Sequence, residues 1–227
     1  MKVFAIIPSG GIGKRTSYSL PKQYIQINGK EIIAYTLEKF QRCSIVDQIV
    51  VSAQKEFFSL IREIKDRYGI SKLLDPVEGG SERQYSVFNA VKSLNADDED
   101  IILVHDAVRP LVSEEIINKS VNSAKESGSA VVAIKAKDTL MNGEDFVNSY
   151  LDRDKIYYVQ TPQAFRYKIF SKAIQMAEKS NLLGTDESML VFNAGYKIKI
   201  VPGSSFNFKI TSDEDISLFT SLIKGLN

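Results

Sequence analysis

The residues best suited to chemistry lie in a glycine-rich turn that follows the first apolar run of the chain. The turn reads Pro-Ser-Gly-Gly-Ile-Gly-Lys-Arg-Thr over residues 8–16; it carries three glycines and Arg15, and Lys22 follows shortly. Glycines let the backbone approach a ligand and turn N–H groups toward anionic oxygens, while the arginine and lysine add full positive charge. The pattern predicts a phosphate site, with a plain tight turn as the alternative.

Two well-known glycine motifs do not fit this turn. A Walker A loop would have its first glycine at Pro8 and, at Arg15, the Ser or Thr that holds Mg²⁺. A dinucleotide-binding fingerprint would have its third glycine at Thr16. The turn is therefore interpreted as neither of these.

A second polar cluster follows the apolar run Ile101–Val104, where the sequence continues His-Asp-Ala-Val-Arg-Pro over residues 105–110. A buried strand that ends here would present Asp106 to a metal ion and Arg109 to a substrate phosphate. An Asp–Arg pair that only fixes the loop is the alternative. His105 is given no chemical role, because a lone histidine is more often structural than catalytic.

Other polar segments could contribute to the same site. Gly79 and Gly80 stand directly before a predicted helix with a capping box, Ser-Glu-Arg-Gln at 81–84. Backbone N–H groups there could bind a base, a ribose or a phosphate, or simply belong to a well-capped helix. Further candidate segments are Asp152-Arg153, Gln160-Thr161-Pro162-Gln163, Gly184-Thr185-Asp186-Glu187 and Asn207-Phe208-Lys209-Ile210-Thr211.

The elements that must position these residues are predicted from hydrophobic patterning. Short apolar runs suit strands that are buried on both faces. These runs are Val3–Ile7, Gln48–Ala53, Ile101–Val104, Ala130–Ile134 and Lys197–Val201. Stretches between them, such as 32–40 and 57–68, follow helical spacing, and capping residues mark helix starts at Ser113 and Ser212. The alternation predicts an α/β fold with a mostly parallel sheet and helices on both faces, whose ligands bind at the carboxyl ends of the strands.

Residues 136–153 break this alternation. The turn signal Asn-Gly-Glu-Asp at 142–145 is followed by apolar residues, which predicts a β-hairpin. An excursion of this size from an α/β core often has a separate task, such as gripping a second subunit, and a surface hairpin without function is the alternative. We therefore predict a single domain over residues 1–227 with this arm inserted in it.

Composition excludes several classes of protein. The 227 residues correspond to about 1.5 average domains. With 29 basic and 28 acidic residues the net charge is +1, so no global field attracts nucleic acid or an anionic membrane. One cysteine, Cys43, and one histidine cannot form an intrachain disulfide or a structural zinc set. The first apolar run has five residues, too few for a signal peptide, so a cytoplasmic protein is expected.

Taken in order, the motifs resemble those of the 2-C-methyl-D-erythritol 4-phosphate cytidylyltransferase (IspD-like) family over essentially the whole chain. The resemblance is carried by Gly11–Arg15, Pro21-Lys22-Gln23, the Gly-Gly-x-x-Arg element ending at Arg83 with Ser86, residues 105–110, Thr161-Pro162-Gln163, Thr185-Asp186-Glu187 and Lys209-Ile210-Thr211. It implies a Rossmann-like α/β fold and a homodimer held by the arm at 136–153. It also implies transfer of CMP from CTP to a polyol phosphate, with Mg²⁺ on the triphosphate and release of pyrophosphate, in non-mevalonate isoprenoid precursor synthesis.

The resemblance also implies a role for each matching residue. Arg15 and Lys22 would be the catalytic cations that hold the triphosphate. The residues that would bind the nucleotide are Ser9, Gly10, Gly11, Gly13, Gly80, Ser86 and Asp106. Asp106 would also lie beside the metal. The polyol phosphate would be bound by Arg109, Thr139, Thr161, Thr185 and Lys209, together with Arg153 of the partner subunit.

Two other functions remain open from the sequence. Ribitol-5-phosphate cytidylyltransferases have the same pattern and differ mainly in the polyol pocket. A non-catalytic nucleotide-binding module would bind CTP without releasing pyrophosphate. The enzymatic reaction itself needs no general base, because a phosphate monoester has its second pKa near ~6 and is largely anionic at neutral pH.

Overall fold

The computed structural model describes residues 1–11 and 20–224, which fold around a seven-stranded sheet. The strands of the described chain are β1 (Val3–Pro8), β2 (Gln26–Ile27), β3 (Lys30–Glu31), β4 (Gln48–Ala53), β5 (Val77–Glu78), β6 (Ile101–Val104), β7 (Ser129–Lys135), β8 (Leu140–Gly143), β9 (Val147–Leu151), β10 (Tyr157–Arg166) and β11 (Lys199–Pro202). The large sheet has the order β11-β7-β10-β6-β1-β4-β5. Only β10 runs antiparallel to its neighbours among these strands, so the predicted mostly parallel sheet is confirmed.

Helices cover both faces of the sheet, as predicted. The helices of the described chain are α1 (Ile32–Arg42), α2 (Phe58–Arg67), α3 (Arg83–Ser93), α4 (Glu114–Ser127), α5 (Tyr167–Ser180), α6 (Glu187–Asn193) and α7 (Asp213–Lys224). Side chains of β1 alternate between two cores: Ala5 and Ile7 pack with α1, α2 and α4, whereas Phe4 and Ile6 pack with α3, α5 and α6. The large side chains among them, Phe4, Ile6 and Ile7, each contribute ~1.5–3 kcal/mol of burial free energy, which fixes the register of the central strand.

The five predicted strands are all present. Gln48–Ala53 and Ile101–Val104 have the predicted bounds, and the other three differ by one or two residues at one or both ends. The strand β10 is not predicted from the sequence, because Tyr158 and Val159 are exposed and the buried residues that follow, 160–163, form no apolar run. The pairing of β10 with β7 is irregular between Val159 and Gln163, where Gln160 and Thr161 bond the backbone of Ser204 and Asp106.

The carboxyl ends of four neighbouring parallel strands, β6, β1, β4 and β5, lie side by side and bring the predicted site segments together. The N–H of Ser9, just after β1, donates to the carbonyl of Ser52 in β4 at 2.7 Å. The N–H of His105, just after β6, donates to the carbonyl of Ile6 at 2.9 Å. The N–H of Gly79 donates to the carbonyl of Ala53 at 2.9 Å. The loops after β1, β5 and β6 therefore meet at one edge of the sheet.

Two of the three predicted helix starts are confirmed. The hydroxyl of Ser113 accepts from the N–H of Ile116 at the start of α4, and that of Ser212 accepts from the N–H of Asp215 at the start of α7. The prediction of a capping box at 81–84 is wrong, since the N-cap residue of α3 is Glu82, whose side chain makes no capping hydrogen bond. The glutamine of that box, Gln84, instead bonds the segment before α6.

The predicted hairpin at 136–153 is confirmed as β8 and β9, which pair with each other and not with the large sheet. Its apolar side chains face outward: Phe146 is 85% exposed, Tyr150 70% and Met141 63%. These three side chains bury little apolar surface within the described chain. Along the described residues, every helix is too short or too polar to cross a bilayer.

Candidate active site

A cleft of about 510 Å³ opens at the carboxyl edge of the sheet. The residues that line it are Pro8, Ser9, Gly10, Gly11, Lys22, Gln23, Gly80, Ser81, Glu82, Arg83, Ser86, Asp106, Ala107, Val108 and Lys209. Eight of the site residues predicted from the sequence thus line one cleft. They come from the loops after β1, β5 and β6 and from the segment before α7. Two others, Gly13 and Arg15, lie outside the residues that the structure describes.

Gln23 fixes the start of the glycine-rich turn. Its side-chain amide donates to the carbonyls of Ser9 at 2.8 Å and Gly11 at 3.0 Å. The Ser9 hydroxyl in turn donates to the Tyr24 phenol at 3.0 Å. Because Gln23 is buried, these bonds hold the turn against the short helix that begins at Lys22. The result is a shaped backbone surface with a lysine beside it.

Close approach of two loops explains the glycines at one end of the cleft. A Cβ on Gly10 would lie 3.3 Å from the Ser86 hydroxyl, and one on Gly80 would lie 2.3 Å from the Cβ of Tyr85. The Ser86 hydroxyl accepts from the N–H of Gly80 at 3.0 Å and donates to the carbonyl of Glu82 at 3.1 Å. Ser86 therefore shapes a narrow pocket whose wall is backbone, which suits a flat polar ring.

At the other end of the cleft, three cations converge on Asp106. Its carboxylate lies 3.2 Å from Nη2 of Arg83, 3.1 Å from Nε of Arg109 and 3.2 Å from Nζ of Lys209. Burial alone would raise the pKa of Asp106, but these charges outweigh it and hold the pKa of this carboxyl far below its usual range. Asp106 is therefore ionised at any physiological pH, and the cluster around it carries an excess of positive charge.

Arg83, which has no role of its own among the predicted site residues, bridges two acids. Its Nη1 lies 2.6 Å from Oε1 of Glu187, while its other end contacts Asp106. Burial raises the pKa of Glu187, and the charge of Arg83 only partly offsets this. Arg83 is the first residue of α3, where the helix dipole disfavours a cation. An arginine at the start of a predicted helix is therefore the signal in the sequence that could have indicated acidic partners.

Five of the predicted polyol-phosphate residues do not line the cleft. Arg109 lies behind Asp106 and donates to the carbonyl of Asn207 at 2.8 Å. The hydroxyl of Thr161 is buried and used within the protein. The remaining three are Thr139, Arg153 and Thr185; Thr139 and Arg153 lie at the base of the exposed arm, and Thr185 lies just before α6. Lys209 is the one predicted polyol-phosphate residue that lines the cleft described here.

The buried His105 makes stability depend on pH. Burial lowers the pKa of His105 from 6.5 to about 4. Below pH ~6.5 the unfolded chain takes up a proton that the folded chain refuses, so this contribution to stability is present above pH 6.5 and lost as the pH falls toward 4. From pH 7 to 5, we expect the free energy of unfolding to fall by ~2 kcal/mol on account of His105.

Urea denaturation of the wild type and of His105→Gln at pH 7 and pH 5 measures this contribution. Glu187 acts in the opposite direction because its pKa is raised, so only the difference between the two proteins isolates His105. Equal losses of stability in both proteins would contradict the buried neutral imidazole.

Comparison with known proteins gives one consistent family. The family model described as IspD, 2-C-methyl-D-erythritol 4-phosphate cytidylyltransferase, matches residues 3–224. A protein of that name from Geobacter metallireducens is 42% identical over 99% of this chain and 98% of its own length. The solved 4-diphosphocytidyl-2C-methyl-D-erythritol synthase from Anaerococcus prevotii is 30% identical, with a TM-score of 0.87 and 98% of each chain covered.

A second solved structure, 2-C-methyl-D-erythritol 4-phosphate cytidylyltransferase from Francisella tularensis, is 31% identical, with a TM-score of 0.84 over 97% of this chain and 99% of that one. The family model and the full-length relatives agree with each other, and the cleft joins a backbone-walled pocket to a group of cations, as a nucleotide and a phosphate require. The chain therefore belongs to the 2-C-methyl-D-erythritol 4-phosphate cytidylyltransferase (IspD) family.

Proposed function

We propose that this protein transfers CMP from CTP to 2-C-methyl-D-erythritol 4-phosphate and releases pyrophosphate, in the synthesis of isoprenoid precursors. The observation that carries the proposal is the cleft itself. It joins Lys22, Arg83 and Lys209 and a narrow pocket formed by Gly10 and Gly80 in one cleft, at the carboxyl edge of the sheet. Such an edge is where open α/β sheets bind their ligands.

The bond changes require positioning and positive charge rather than a base. An oxygen of the acceptor phosphate attacks the α-phosphorus of CTP, a new P–O–P bond forms, and the bond to the β-phosphate breaks so that pyrophosphate leaves with the electron pair. The attacking oxygen is already anionic. Lys22 would stabilise charge on the transferred phosphorus together with Arg15, and Lys209 would hold the acceptor phosphate. His105 is buried behind the cleft and takes no proton.

The proposal includes Mg²⁺ that arrives with the triphosphate. Within residues 1–11 and 20–224 no group of three or more His, Cys, Asp or Glu side chains could hold a metal ion. Asp106 is ionised and lines the cleft, so the donor set fits an ion held mainly by CTP with this one carboxylate as its protein ligand. When bound, the ion would neutralise the triphosphate. Arg83, Arg109 and Lys209 keep the carboxylate charged and in place.

A pyrophosphate-release assay tests the function. With CTP and Mg²⁺, we expect turnover on 2-C-methyl-D-erythritol 4-phosphate and little on ribitol 5-phosphate or glycerol 3-phosphate. The relatives described above all have the methylerythritol name, which favours that acceptor over ribitol phosphate. A preference for ribitol 5-phosphate would overturn the acceptor assignment. CTP binding without pyrophosphate release with any of the three acceptors would overturn the assignment of cytidylyltransferase activity.

We also propose that the protein is a homodimer held by the arm, residues 136–153. The support is the outward-facing apolar surface of Met141, Phe146 and Tyr150. Arg153 lies at the base of the arm, away from the cleft of its own chain, so in a dimer it could serve the partner's cleft. We expect Phe146→Asp combined with Tyr150→Asp to shift the mass measured by light scattering from dimer to monomer.

A mixing experiment tests the contribution of Arg153 across the interface. Lys22→Ala and Arg153→Ala should each be nearly inactive alone. If Arg153 completes the partner's cleft, half of the randomly mixed dimers contain one intact site, so the mixture should recover about a quarter of wild-type activity. No recovery, in a mixture shown to exchange subunits, would contradict a shared site.

The proposed location is the cytoplasm. The support is chemical: Cys43 is a free, buried thiol, which suits a reducing compartment. Fractionation of cells that express the protein tests the location.

A further inference from the structure

We propose that His105 is a positioning residue for catalysis, which acts by holding the turn that carries Asp106 and Arg109; the inference rests on the proposed function. The turn is tight, since the N–H of Arg109 donates to the carbonyl of Asp106 at 3.1 Å. The two side chains of the turn are themselves paired at 3.1 Å. Whatever fixes this turn therefore fixes both charged groups at once.

The imidazole of His105 holds the turn at both ends. Its Nε2 lies 3.1 Å from the carbonyl oxygen of Arg109, which can only accept, so Nε2 must carry a proton and donate. The ring is fully buried, which favours the neutral form, and Nδ1 is then an acceptor. The Thr161 hydroxyl lies 3.0 Å from Nδ1 and donates to it. The oxygen of that hydroxyl accepts from the N–H of Asp106 at 3.1 Å.

The resulting chain of hydrogen bonds runs from the carbonyl of Arg109, through the ring and the Thr161 hydroxyl, to the N–H of Asp106. Two further contacts support it from other elements. The ring of Phe40 in α1 lies 5.0 Å from the imidazole, and the hydroxyl of Thr36 donates to the carbonyl of Ala107 at 2.8 Å. His105 and Thr161 do not line the cleft of the described chain, so they act through the turn and not by touching a ligand there.

This arrangement predicts which kinetic constants depend on His105. The turn lies at the cationic end of the cleft, where Lys209 and the acceptor phosphate would meet. The pocket at Gly10 and Gly80 is held by separate contacts with Gln23 and Ser86. Loosening the turn should therefore lower kcat and raise KM for the polyol phosphate, so that kcat/KM for this substrate falls by ~10- to 100-fold. KM for CTP should stay within about twofold.

Different variants test the hydrogen bonds of the two imidazole nitrogens separately. His105→Gln keeps a donor near the Nε2 position and removes the acceptor for Thr161. His105→Asn keeps an acceptor near the Nδ1 position and removes the donor to Arg109. Thr161→Val deletes only the hydroxyl at nearly constant shape. Ser120→Ala is the matched control, because it deletes another buried hydroxyl, bonded to a carbonyl within α4 and remote from the site.

The test is a double-mutant cycle on kcat and both KM values, with the melting temperature measured for every variant. We expect His105→Gln and Thr161→Val to be strongly non-additive, so that the double variant is little worse than the worse single one. Thr161→Ser should retain more activity than Thr161→Val. Additive losses, or losses that raise KM for CTP as much as KM for the polyol phosphate, would overturn the inference.

Failure of the inference is distinguishable from failure of the function. A wild type that releases no pyrophosphate would refute the proposed reaction. A wild type that turns over normally, with stable His105→Gln and Thr161→Val variants of unchanged kinetics, would refute only the positioning role. If the histidine variants do not fold, the comparison of Thr161→Val with Thr161→Ser and Ser120→Ala still decides the question.

Discussion

Replacing Asp106 by asparagine should lower kcat by ~10²–10³, because the negative charge that positions three cations is lost. The amide has the shape of the carboxylate but leaves Arg109 and Lys209 without the negative charge that both contact. Breaking a buried pair by removing one partner also costs ~3–5 kcal/mol of stability. We therefore expect a second effect, a lower urea midpoint in denaturation of the unliganded enzyme.

The control for this prediction is Glu99→Gln. Glu99 also contacts two cations, Arg166 and Lys168, but it is largely exposed and remote from the cleft. Exposed pairs contribute little, so the variant should match the wild type in kcat and stability. Wild-type turnover by Asp106→Asn at saturating CTP and acceptor would show that the carboxylate does not organise the site.

Lys22→Ala is expected to lower kcat by ~10²–10³, an effect far larger than any change in the melting temperature. Lys22 is partly exposed and lines the cleft, so truncating its side chain removes a charge without opening the core. Since the neighbouring Gln23 continues to hold the turn, loss of activity would be electrostatic. Single-turnover measurements with saturating CTP separate the chemical step from binding.

Lys55→Ala is the matched control for Lys22→Ala, because Lys55 pairs with Glu78 at the surface and does not line the cleft. Lys22→Arg adds a second comparison that keeps the charge but changes its geometry. Near-normal turnover by Lys22→Ala would remove this residue from the catalytic step.

Much of the site was predictable from the sequence because local patterns place it. The continuous apolar run Ile101–Val104 predicts a buried strand, and a strand buried in a parallel sheet delivers the next residues to its carboxyl edge. That reasoning alone puts Asp106 at the ligand edge. The glycine pairs near residues 10 and 80 predict close backbone approach for the same local reason, and the structure shows it at Ser86.

What the sequence could not predict depends on contacts between distant segments. The pair of Arg83 and Glu187 joins residues 104 positions apart, and no local pattern encodes it. Contacts between distant segments also explain why the predicted capping box at 81–84 is wrong. The side chain of Gln84 bonds the backbone of Leu182 and Gly184 instead of the start of its own helix. In the sequence His105 is a lone histidine, and only the fold shows that Thr161 lies against its ring.

The position of β10 links two parts of the molecule that are usually considered separately. This strand begins at Tyr157, shortly after the arm, and continues to Thr161 beneath the turn that carries Asp106. The arm and the turn of Asp106 thus share one strand, which pairs with β7 from Tyr157 onward and with β6 from Gln163 onward. A change in the backbone of residues 157–161 would therefore act on the end of the arm and on the turn of Asp106 at once.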